Sequence, residues 1–79
     1  MPGPQKLPSL SWRQVLKVLR RFGFVPVRQP SSHILLRNQE GVRIVAPRHD
    51  PVGNGLLMDI LAEAALTKEG FLEALQLGA

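Results

Sequence analysis

The sequence contains no cysteine, which excludes a disulfide framework and a thiolate metal site and gives no sign of an oxidising compartment. Long apolar runs are missing too. No segment approaches the ~20 residues of a membrane span, and Met1-Pro2-Gly3-Pro4-Gln5-Lys6 is not followed by the apolar stretch of a signal peptide. A cytoplasmic protein without membrane association is expected. At 79 residues the chain is too short for two cores, so a single domain over 7–77 is expected, with residues 1–6 a flexible lead-in. Histidine occurs twice, and neither His33 nor His49 lies in a His/Asp/Glu cluster at metal-ligand spacing. No metal or other cofactor is expected.

Acids are scarce in one part of the chain. Residues 1–48 hold Lys6, Arg13, Lys17, Arg20, Arg21, Arg28, Arg37, Arg43 and Arg48 against Glu40 alone, a net of +8. Residues 49–79 hold Lys68 against Asp50, Asp59, Glu63, Glu69 and Glu73, a net of −4. The first part should draw polyanions and the second should not. The plainer alternative is a basic surface that only keeps the protein soluble.

What is present reads as six elements. Ser11 and Gln14 have the spacing of a capping box, opening a helix whose Trp12, Val15, Leu16, Leu19 and Phe22 form a core stripe. Arg13, Lys17, Arg20 and Arg21 collect on another face, either a solvated surface or a track for phosphates. Gly23 suits a left-handed exit. Strands follow at about 24–28, 33–37 and 42–46, joined by the turn Gln29-Pro30-Ser31-Ser32 and the loop Asn38-Gln39-Glu40-Gly41. Pro26 cannot donate to a ladder, which points to a sheet edge or a bulge. Alternation puts Ile34 and Leu36 on one face of the second strand and His33, Leu35 and Arg37 on the other. In the third strand Val42, Ile44 and Ala46 oppose Arg43 and Val45, so Arg37 and Arg43 should share a surface across their hairpin. After an irregular Pro- and Gly-rich stretch over 47–55, a helix over about 56–65 turns Leu57, Ile60, Leu61 and Ala64 inward. Thr67 then caps a last helix over 68–77, with Phe71, Leu72 and Leu75 facing the core. The fold class is α+β in the order α-β-β-β-α-α, a three-stranded antiparallel sheet with helices on one face.

His33 falls at the mouth of the first hairpin. Imidazole, with an ordinary pKa of about 6.5, is the side chain that exchanges protons near neutral pH. A lone turn histidine is in itself more often a solvated surface group than a catalyst.

The order and spacing of several short strings supply context. Leu7-Pro8-Ser9-Leu10-Ser11, Phe22-Gly23-Phe24, Val27-Arg28-Gln29, Ser32-His33-Ile34-Leu35-Leu36-Arg37 and Ala46-Pro47-Arg48-His49 make the chain resemble the HicA family of bacterial toxins over about residues 7–77. The resemblance implies a fold like the double-stranded-RNA-binding domain. It also implies the toxin of a type II toxin-antitoxin system, a metal-independent mRNA endoribonuclease with a cognate HicB-type antitoxin. The histidine of the family's Gly-Ser-His turn is catalytic, and its position here is His33. Such chemistry takes the RNA 2′-OH as nucleophile, an imidazole as proton acceptor and nearby cations for the phosphorane. DNA lacks that hydroxyl and should resist cleavage. The partners expected are therefore mRNA or other single-stranded RNA, together with the antitoxin. Arg13, Lys17, Arg20, Arg21, Arg28, Arg37 and Arg43 are the candidates for holding the RNA backbone.

Ser32 and His49 are auxiliary candidates. His49 reads first as a loop histidine in contact with solvent; alternatively it supplies the proton to the 5′-oxygen, oriented by Asp50. The sequence departs from the family at Ser31, where the family has glycine, and at Asn54-Gly55-Leu56-Leu57, where the family has Lys-Gly-Thr-Leu. A degenerate, inactive toxin is thus one alternative. A non-catalytic RNA-binding module is another, since Pro30-Ser31-Ser32-His33 is similar to a turn of double-stranded-RNA-binding domains. The lysines those domains present at their last helix are absent from 54–59.

Overall fold

The computed structural model describes residues 9–28 and 32–77. The expected lead-in 1–6, Leu7, Pro8 and the turn residues Gln29, Pro30 and Ser31 lie outside the described residues.

α1, Trp12–Arg21, begins as its capping box dictates. Ser11 Oγ accepts from the Gln14 N–H at 3.2 Å, and Gln14 Oε1 accepts from the Ser11 N–H at 3.0 Å. A further acceptor arrives from the loop after the sheet: Asp50 Oδ1 takes the Trp12 N–H at 2.8 Å. That sets a carboxylate at the positive end of the helix dipole. The helix closes with the Phe24 N–H on the Leu19 carbonyl at 3.1 Å and the Gly23 N–H on that of Arg20 at 3.0 Å. This is a Schellman ending, and Gly23, at φ +90°, supplies its left-handed residue. Replacing Ser11 with alanine should lower stability by about 1 kcal/mol. Urea unfolding of both proteins measures it, and an unchanged midpoint would show that Asp50 alone suffices at this helix start.

β1 Val25–Arg28, β2 His33–Arg37 and β3 Arg43–Pro47 form an antiparallel meander in the order β1-β2-β3. Its register puts Arg37 between Val25 and Arg43, Leu35 between Arg28 and Val45, and His33 beside Pro47. The β1 pairing slips between Pro26 and Arg28, so the proline sits both on an edge strand and next to an irregularity. The β2–β3 loop turns through Gly41 at φ +85°, and Asn38 Oδ1 accepts from the Glu40 and Val42 N–H groups at 3.0 and 2.9 Å. α2, Asn54–Ala64, starts two residues before the position its apolar period indicated. α3, Lys68–Gln76, is capped by Thr67 Oγ1, which accepts from the Gly70 N–H at 2.9 Å.

The helices cover one face of the sheet. Ile34 and Leu36 of β2 and Ile44 and Ala46 of β3 join Val15, Val18 and Leu19 of α1, the expected inner face of α2, and Phe71, Leu72 and Ala74 of α3. Two assignments on α1 change. Phe22, expected in the core stripe, is the C-cap residue and is 37% exposed, because helical geometry has ended there. Val18, absent from that stripe, is fully buried one helical step from Val15. Trp12, Leu16 and Leu75 are half-buried against the core. Among the described residues no helix is long and apolar enough to cross a membrane.

Candidate functional site

The face of the sheet turned away from the helices carries His33 and three of the candidate cations. Strand alternation and the register place His33, Arg37, Arg43 and Arg28 together there, all exposed. Val25 and Val45, each about half exposed, and the half-buried Leu35 lie between them. Two residues along a strand span about 7 Å, so the Arg28–Leu35–Val45 row is one such step from His33 and the Val25–Arg37–Arg43 row two. Arg37 and Arg43 are direct cross-strand partners. Like charges so placed oppose folding, and a bound anion would relieve them.

The structure divides the seven candidate cations. Arg28, Arg37 and Arg43 share the face of His33, whereas Arg13, Lys17, Arg20 and Arg21 are exposed along α1. The Trp12–Asp50 hydrogen bond holds the start of α1 against the loop that follows β3, which puts Arg13 at the same end of the sheet as His33. Arg20 and Arg21 occupy the last turn, where the chain enters β1 through Gly23. At ~1.5 Å per residue that end of α1 is roughly 10–12 Å farther along.

His33 is held by its neighbour. Ser32 Oγ lies 3.2 Å from His33 Nδ1, and both residues are exposed. If the hydroxyl donates, Nε2 carries the proton; if Nδ1–H donates to Oγ, Nε2 is left as an acceptor able to take one. Either way the contact occupies Nδ1 and leaves Nε2 for a ligand. Ser32 is also tied to the chain beyond β3, because the Arg48 N–H donates to the Ser32 carbonyl at 2.9 Å. The position of the imidazole is thus set by two strands and not by the turn alone.

His49 is exposed, two residues beyond the partner of His33 in the register. The carboxylate expected to orient it is engaged elsewhere, with Asp50 Oδ1 on α1. Two residues of this region were not among the predicted site residues. The guanidinium carbons of Arg13 and Arg48 lie 5.1 and 5.5 Å from the centroid of the Trp12 ring, so Trp12, read as core, and Arg48 both belong to this end of the sheet. The signal was the Pro47-Arg48-His49 string, but strand periodicity stops before it and could not say where Arg48 points. Among the described residues no three His, Cys, Asp or Glu side chains are grouped to hold a metal ion.

In comparisons with known proteins, the family model for the HicA toxin of bacterial toxin-antitoxin systems matches residues 12–71, a stretch from the start of α1 into α3 that includes His33. No curated protein matches the chain.

Proposed function

The chain belongs to the HicA toxin family, which makes it a toxin of the toxin-antitoxin type, and we propose that it acts by cutting RNA with His33 as the group that moves the proton. The observation that carries this reading is the Ser32–His33 contact at 3.2 Å on an exposed, cationic sheet face. In the tautomer whose Nδ1–H donates to Ser32 Oγ, Nε2 takes the proton of a ribose 2′-OH as that oxygen attacks the adjacent phosphorus. The 5′-oxygen leaves with a proton from water or from His49, and the products end in a 2′,3′-cyclic phosphate and a 5′-hydroxyl. The substrate brings its own nucleophile, so this route calls on no metal. Arg37 and Arg43, two steps along the strand, hold the RNA, and Arg28, one step from His33, offsets the charge gathering on phosphorus. The natural substrate would be mRNA in the cytoplasm, and a HicB-type antitoxin would act by covering this face.

The test is incubation of the purified protein with end-labelled single-stranded RNA in the presence of a chelator, beside DNA of the same sequence. Cut RNA with cyclic phosphate ends and intact DNA are expected. RNA that is bound but left whole would point instead to a binding module, and RNA neither bound nor cut to an inactive toxin.

The cationic face makes a second prediction. Affinity for single-stranded RNA should fall with salt at a log–log slope of about −0.7 per phosphate contacted. Changing Arg37 and Arg43 together to glutamine should flatten that slope by about 1.4. The loss should be similar for unrelated sequences, since phosphates carry no base identity. A slope indifferent to both changes would leave this face as solvated surface.

A further inference from the structure

Three side chains where α1 begins take no part in the mechanism above. Trp12, the chain's single tryptophan, is half-buried, and the exposed Arg13 and Arg48 both lie within the ~6 Å range of a cation–π contact with its ring. The backbone fixes the arrangement from several sides. The Trp12 N–H donates to Asp50 Oδ1 at 2.8 Å, the Val52 N–H to the Leu10 carbonyl at 2.7 Å, and the Arg48 N–H to the Ser32 carbonyl at 2.9 Å. The last of these joins the cluster to the imidazole. Arg48 is bonded to the residue before His33 and follows Pro47, the partner of His33 in the sheet.

Two guanidiniums gathered on one ring repel each other, and Asp50, the nearby acid, accepts the Trp12 N–H through Oδ1. A guanidinium resting on an indole has already lost part of its rotamer freedom. Its planar fork of donors matches the oxygens of a phosphate, so less ordering is left for a ligand to impose. We propose that Arg48 and Arg13, held on Trp12, form a binding subsite for an RNA backbone phosphate next to the one cleaved at His33. The proposal rests on the RNA-cleavage reading and gives the strand a path. RNA crosses the open sheet face past Arg37 and Arg43, meets His33 at the start of β2, and leaves around the end of the sheet to the first turn of α1. Recognition at the subsite is by charge and shape, not by base.

The sole tryptophan lies inside the subsite, so its emission reports occupancy directly. A single-stranded ribo-oligonucleotide titrated into the full chain carrying H33A, so that the RNA stays whole, should change that emission. R48Q in the same background should weaken binding about tenfold and lower the salt slope by about 0.7, with the unfolding midpoint near that of its parent. R13Q should act in the same direction, and R48K should keep the slope while losing part of the affinity. Unchanged emission, affinity and slope in R48Q and R13Q overturn the proposal. So does an R48Q loss that only follows a loss of folding while R13Q is neutral, since the cluster would then serve stability alone. If the wild type cuts no RNA but binding still depends on Arg48, the subsite stands and the cleavage reading falls. If the wild type cuts RNA and R48Q binds and cuts it equally well, the subsite alone is wrong.

Discussion

Replacing His33 with alanine is expected to lower RNA cleavage at least ~100-fold, because proton transfer by a positioned group is typically worth about 10²–10⁴. The fold should be left intact. His33 is exposed and contributes nothing to the core, and its backbone stays in the β2–β3 pairing whatever the side chain. Surface substitutions of this sort usually stay within about 0.5 kcal/mol. The loss should appear in kcat, with RNA affinity nearly unchanged, since the proposed mechanism gives the arginines the holding of the strand and the imidazole only the proton. Single-turnover cleavage and a binding titration on both proteins separate the two effects. Equal cleavage by wild type and variant would remove His33 from the mechanism.

The opposite pattern is expected at Phe71, which touches no part of the site. Its ring is 0% exposed, at the point where α3 closes the core against α1 and α2. Phe71→Ala should cost about 3–5 kcal/mol. Domains hold roughly 0.05–0.15 kcal/mol per residue in total, about 4–12 kcal/mol for a chain of 79 residues, so that loss removes from a quarter of the stability to all of it. Circular dichroism across a urea series reads it directly. Leu77→Ala, at a side chain 66% exposed, should stay within about 0.5 kcal/mol. A Phe71 variant as stable as the Leu77 variant would mean that α3 does not complete the core.

Much of this was legible because period and capping are local signals. The inner face of α2 was read residue for residue from Leu57, Ile60, Leu61 and Ala64, and the two faces of β2 from strict alternation. Ser11, Gln14 and Thr67 marked helix starts through side-chain chemistry that acts within three residues. What stayed hidden depends on contacts distant in sequence. Nothing near Asp50 says that it caps α1, thirty-eight positions away, and contacts of that long-range kind are what show that Arg13 and His33 share an end of the sheet. Arg48 follows the last strand residue, where alternation no longer fixes direction. Phe22 kept the period of its helix, but the Schellman turn at Gly23 ended that helix first. The candidate site was legible as residue types and as one face of β2. The placing of Arg48 against Trp12 was not.

The slip beside Pro26 also governs how the sheet meets other chains. β1 is an edge strand, and a straight edge offers unpaired amides and carbonyls as a template for aggregation. Val25 and Val27 are both exposed there, which would add apolar attraction to that template. Pro26 has no amide to offer, and the pairing breaks at Val27, so an incoming strand finds no evenly spaced run of partners. The sheet therefore exposes its outer face while its β1 edge is blunted against self-association.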